Sequence, residues 1–134
     1  MKTKYKFLIL LFGTLFWASC EKEYYSTTDN SVQIDPSVPI SFSGSIVPIF
    51  TTNCLGSGCH EAGGPPPTLT SDKAYDQITM LGYVDADTPD TIPENSSLYK
   101  RIISTSKPMP PKGNMSQGKI DAVALWIKQG SKNN

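Results

Sequence analysis

The sequence predicts a small all-α domain joined by a polar tether to an export segment. Three observations point there. Apolar residues recur at i, i+3 and i+4 spacing in several short stretches. Serine or aspartate residues that suit a helix start stand at the head of these stretches. Between them lie connectors rich in proline and glycine, which punctuate helices. The 134 residues include eleven prolines and ten glycines.

Residues 1–19 open with Lys2, Lys4 and Lys6 and continue in an apolar run over 7–18. This is a secretory signal, too short to be a good membrane span. It ends Trp17-Ala18-Ser19-Cys20. Small residues ahead of a cysteine resemble the bacterial lipoprotein processing box. Cys20 is then the mature N-terminus and the lipid site, and lipid holds the chain on a membrane without spanning it. An exported, lipid-anchored protein on the periplasmic side or the cell surface is expected. The alternative is an ordinary secreted protein with a spare cysteine. Residues 20–39 are mostly polar, with Pro36 and Pro39 and no hydrophobic period. They read as a flexible tether.

Residues 40–134 form the expected domain. In its first helix Ile46, Ile49 and Phe50 make one apolar stripe. Ser43 or Ser45 is placed to cap it, Pro48 fits a first turn, and Asn53 suits its end. Ser71 or Asp72 heads a helix over 73–81, with Ala74, Ile78 and Leu81 on one side. Asn95 or Ser96 starts another over 97–103, with Leu98, Ile102 and Ile103 as buried candidates. The last helix starts at Ser116, runs to Gln129 and stops at Gly130. Met115 and Ile120 stand at the staple positions of that helix. Ile120, Val123, Ala124 and Ile127 form its stripe, widened by Leu125. Trp126 has two possible places, over a cofactor edge or against the first helix. Residues 131–134 read as a polar fray.

The stretch that organises this domain is Cys54-Leu55-Gly56-Ser57-Gly58-Cys59-His60. Two cysteines closed by Cys-His form the attachment signature of a c-type haem. Each thiol can add to one porphyrin vinyl group, and the adjacent imidazole can reach the iron from the same side. The usual run has two residues between the cysteines; here there are four. Gly56 and Gly58 can take backbone angles closed to other residues, so the longer loop can bulge while its sulfurs keep their spacing.

His60 is the only histidine, so a second imidazole from this chain cannot fill the sixth position. A methionine is the candidate there, and a His/Met pair gives the raised potential of electron-carrying cytochromes; without one the sixth position stays open. Met109, Met80 and Met115 are the candidates. Met109 is favoured because Pro108, Pro110 and Pro111 hold the backbone around it. A pre-ordered loop loses less entropy when a weak thioether ligand binds. Lys100 and Arg101 are the candidate partners of haem propionates. Leu69 is a candidate pocket residue or core anchor.

Charge and size bound the function. The chain has 12 basic and 12 acidic residues, and removal of the first nineteen leaves 9 against 12. Nucleic-acid binding wants clustered basic side chains interleaved with aromatics, and no such run is present. A domain this short buries a small share of its surface and gains from a held apolar group. Asp85, Asp87, Asp90 and Glu94 lack the glycine and closing glutamate of a twelve-residue calcium loop and read as a solvated acidic loop. A zinc site would want four Cys or His ligands, and only Cys54, Cys59 and His60 are to hand.

From residue 42 to residue 130 the chain resembles a small class I c-type cytochrome. It is more specifically similar to the lipoprotein cytochrome domains of the Bacteroidetes group. The resemblance is carried by Ile46-Val47-Pro48-Ile49-Phe50, by Cys59-His60, by Lys107-Pro108-Met109-Pro110-Pro111 and by Ala124-Leu125-Trp126-Ile127. It implies a class I cytochrome c-like helical fold around one covalently bound haem c. Cys54 and Cys59 would be the thioether residues, with His60 proximal and Met109 distal. The implied role is an electron-transfer protein, not an enzyme. Its expected partners are a terminal oxidase, another cytochrome or a secreted oxidoreductase, with the lipid membrane through Cys20. Two rival readings stand. In one, Cys54 and Cys59 form a disulfide in a surface binding or structural lipoprotein without haem. In the other, an open sixth site supports peroxide chemistry, for which no second histidine is present as acid or base.

Overall fold

The computed structural model describes residues 34–113 and 115–134. The export segment, Cys20 and the tether up to residue 33 lie outside the described residues, as does Asn114. Among the described residues the chain is helical and contains no strand, in agreement with the all-α expectation. No described helix is long and apolar enough to cross a membrane.

A π-helical turn, Phe42–Ile46, runs directly into α1, Val47–Asn53. The helical path thus starts earlier than Ser43 or Ser45 would allow. Ser41 is the cap: its hydroxyl accepts the Gly44 N–H at 3.0 Å. Pro48 sits in the first turn of α1, where its missing N–H costs nothing. Ile46, Ile49 and Phe50 are buried, as their spacing predicts.

α2, Ala74–Met80, and α3, Ser97–Ile102, are each one residue or so shorter than their periodicity suggests. The difference decides what is buried. Leu81 and Ile103 fall just past the helix ends, lose the phase of the stripe, and are 51% and 44% exposed. Neither Ser71 nor Asp72 caps α2, whose N-cap position is Lys73 with no side-chain cap bond. The Thr70 side chain bonds Asp72 instead and holds its carboxyl below the usual range. Ser96 does cap α3, accepting from Tyr99 N and donating to Tyr83 O.

α4, Gln117–Lys128, is the longest helix and the spine of the core. Ile120, Val123, Leu125, Trp126 and Ile127 are buried, with Ala122 taking the inner place expected of Ala124. Ser116 takes the N-cap position, but through its carbonyl, which accepts from Ile120 N; its hydroxyl makes no cap bond. Met115 and Ile120 are both buried, as a hydrophobic staple requires. Trp126 lies against the first helical segment, its ring 5.3 Å from Phe42. Phe42 also meets Tyr75 edge-on at 5.2 Å and Phe50 at 6.3 Å. Aromatic pairs at such separations stabilise beyond their buried area.

Residues 131–134 are not a fray. The Trp126 indole N–H donates to Lys132 O, and the Tyr75 hydroxyl donates to Ser131 O. Phe42 N donates to Asn134 Oδ1 at 2.7 Å and Ser43 N to Asn134 O at 2.9 Å. These residues therefore satisfy the orphan N–H groups at the head of the π-helical turn. The packed body also reaches back into the segment read as tether. Ile34 is 1% exposed, and Gln129 bonds Ile40 N and Val38 O.

Candidate functional site

α1 ends where the chemistry starts. Cys54 is its C-cap residue, with its N–H bonded to Phe50 O at 2.8 Å. The loop that follows is closed by main-chain bonds. His60 N donates to Cys54 O at 3.1 Å, Cys59 N to Gly56 O at 2.8 Å, and Leu69 N to His60 O at 2.8 Å. The four-residue spacer bulges through Gly56 (φ 147°) and Gly58 (φ 77°), angles that side chains disfavour. Glu61 reaches back to accept Gly58 N–H. Cys54 and Cys59 are half-buried free thiols.

The histidine is oriented by the segment after it. His60 Nδ1 lies 3.1 Å from Pro65 O. A carbonyl only accepts, so Nδ1 carries the proton and Nε2 keeps the lone pair that a metal would use. Gly64 makes this close return possible, since a Cβ there would collide with the Cys59 carbonyl. Sequence reasoning missed the roles of Gly64 and Pro65. Their visible signal is the turn-forming run Gly63-Gly64-Pro65 just past His60.

Across from this loop lies the Met109 loop. It is tied to α3 by Met109 N, which donates to Arg101 O at 3.2 Å. The two loops, α3 and the C-terminal end of α1 enclose one cleft of about 580 Å³. This size falls within the roughly 300–1,000 Å³ of cofactor and ligand pockets. Cys54, Cys59, His60 and Met109 all line it. Leu69 lines it too while being 3% exposed, so it is a core residue that also borders the cleft. Lys100 and Arg101 line it from α3. Of the other methionines, Met80 is 79% exposed and away from the cleft, whereas Met115 is buried and borders it. Trp126 is not part of the lining.

Burial first, and the charge of nearby Cys59 second, push the Cys54 thiol up to about 11. At neutral pH Cys54 is therefore a protonated thiol, slow to react with oxidants that need a thiolate. Among the described residues no three His, Cys, Asp or Glu side chains are grouped to hold a metal ion by themselves. The cleft lining holds one imidazole, His60, and two thioethers, Met109 and Met115, among mostly apolar side chains. Asp85, Asp87, Asp90 and Glu94 are all exposed. Comparison with protein-family models, curated proteins and solved structures finds no match for this chain.

Proposed function

We propose that the chain is a one-electron carrier with a single covalent haem c in this cleft, held near a membrane by lipid on Cys20. The observation that carries the reading is that Cys54, Cys59, His60 and Met109 line one cleft, with His60 Nδ1 committed to Pro65 O. Cys54 and Cys59 would hold the group as thioethers, each thiol adding its S–H across one vinyl group so that nothing leaves. When bound, the haem supplies the one-electron couple. The protein's part is to hold its ligands still. The Pro65 carbonyl fixes the imidazole tautomer and makes the ring a better donor. The prolines around Met109 and its N–H bond to Arg101 keep the thioether loop in place. Lys100 and Arg101 line the cleft as cations for the propionates. The apolar lining keeps water back, which favours the less charged state of the site.

The reading has no catalytic step, and its partners are redox proteins: an oxidase, another cytochrome or a secreted oxidoreductase. Protein made in a haem-attaching host is expected to show a Soret band, a reduced-minus-oxidised spectrum and a mass gain of one haem. Colourless protein of plain mass with a Cys54–Cys59 disulfide overturns the reading in favour of a surface lipoprotein. Met109→Ala is expected to keep the covalent haem and lose the long-wavelength band of methionine ligation. Loss of that band in Met115→Ala or Met80→Ala instead would reassign the sixth ligand.

A further inference from the structure

We propose that Lys119 is a positioning residue: held by Asn53 at the C-terminal end of α1, it offsets the negative end of that helix and eases the arrival of an electron in the cleft. Its purpose rests on the electron-carrier reading. The contact that holds it does not.

The helical path from Phe42 to Asn53 ends at the cleft, which Phe50, Asn53 and Cys54 all line. Aligned peptide dipoles leave the equivalent of about half a negative charge at such an end. No aspartate or glutamate lines the cleft, so the end of α1 brings negative potential to a lining without acids. A negative end opposes an incoming electron, and a cation placed on it removes that opposition.

Lys119 meets that end from a distant part of the chain. It stands in the first turn of α4, and its Nζ donates to Asn53 Oδ1 at 3.5 Å. Asn53 is pinned from its other side as well, where Nδ2 donates to Ile49 O at 2.7 Å. An ammonium only donates and a carbonyl only accepts, so the two contacts leave the amide a single orientation. Asp121, the acid nearest to Lys119 in the chain, accepts from Gln117 instead. Lys119 and Asn53 are both half-buried, so salt screens this charge less than that of an exposed lysine. Lys100 and Arg101 reach the cleft from α3, not from the side of α4.

Two measurements test this. In the haem-free chain, NMR of the Asn53 side-chain amide is expected to show signals displaced from those of a free amide. They should persist in Lys119→Arg and move to the free position in Lys119→Met. In the haem-loaded chain, a potentiometric titration followed by absorbance is expected to give Lys119→Met a lower midpoint than wild type, with Lys119→Arg close to wild type. The shift should survive high salt. Asn53→Ala lets the cation swing outward and should also lower the midpoint. Combined with Lys119→Met it should lower it no further, since the two residues act as one unit. Lys128→Met is the control: it removes an exposed charge from the same helix nine residues on, about 14 Å away, and should move the midpoint far less. An unchanged midpoint in Lys119→Met overturns the proposal. So does an equal fall in Lys128→Met, which would make net charge the cause, and so does an Asn53 amide indifferent to Lys119→Met. A chain that takes up no haem but keeps the displaced amide signals sinks the carrier reading, and with it the purpose of the contact, while the contact itself stands.

Discussion

The aromatic centre and the cleft of this small domain are built by different means. The centre is closed by side chains: Phe42, Tyr75 and Trp126 fill one another's space, and Phe50 joins them from α1. The cleft is shaped by main chain: Cys54 O, Gly56 O, His60 O and Pro65 O each accept a bond that bends the loop round the thiols and the imidazole. Phe50 belongs to both regions, since it is 1% exposed and also borders the cleft. The lesson is that the first region is sensitive to removed volume and the second to added volume or altered backbone.

The largest expected effect breaks the aromatic centre. Trp126→Ala deletes a side chain that is 1% exposed and also removes the indole N–H that donates to Lys132 O. A loss of about 3–5 kcal/mol is expected. Urea denaturation of the haem-loaded and haem-free chains should both report it. If only the haem-loaded chain is weakened, Trp126 belongs to the cleft after all and the two regions are one.

The converse test adds volume. Gly64→Ala places a methyl group on the Cys59 carbonyl, a main-chain atom that cannot swing aside. About 3 kcal/mol of local strain is expected, the upper end for overpacking. The helices should persist by circular dichroism while the yield of covalent haem falls, because the Pro65 carbonyl is drawn off His60. Normal loading in Gly64→Ala would show that the loop adapts and that the close return is not what orients the ring.

The same contrast explains what was legible in the sequence. Ile46, Ile49 and Phe50, and likewise Ile120, Val123 and Ile127, are neighbours through helix geometry, so spacing revealed them. Cys54, Cys59 and His60 were legible as a group because they stand within seven residues of one another, and the structure places all three in the lining of one cleft. Leu81 and Ile103 misled because a stripe continues on paper after the helix has stopped. The docking of residues 131–134 left no pattern: Asn134 meets Phe42 across some ninety residues, through polar groups that look identical to those of a fray. Trp126 and Met115 had two plausible homes each, and only tertiary packing could choose between them. The family resemblance of Met109 stays an expectation, with its support in the shared cleft.

The smallest expected effect sharpens the comparison by titration. Cys54 in the haem-free chain has its thiol raised from 9.0 to about 11, by burial first and then by Cys59. Between those values the unfolded chain gives up the proton and the folded chain keeps it, so stability falls as pH rises from 9 to 11. The full contribution is present below pH 9. Partial exposure of the residue limits it to about 2 kcal/mol. Tyr75 is also raised, by burial and then by Asp87 and Asp76, and acts with the same sign. Comparison with Cys54→Ala at each pH cancels it. The difference between wild type and Cys54→Ala should then shrink from pH 9 to pH 11 in the haem-free chain. If Cys54 is bonded to haem as proposed, its sulfur is a thioether with no proton to lose, and the same step should vanish in the loaded chain. A step of equal size in both forms would mean that Cys54 is not bonded to the haem, leaving Cys59 as the sole attachment.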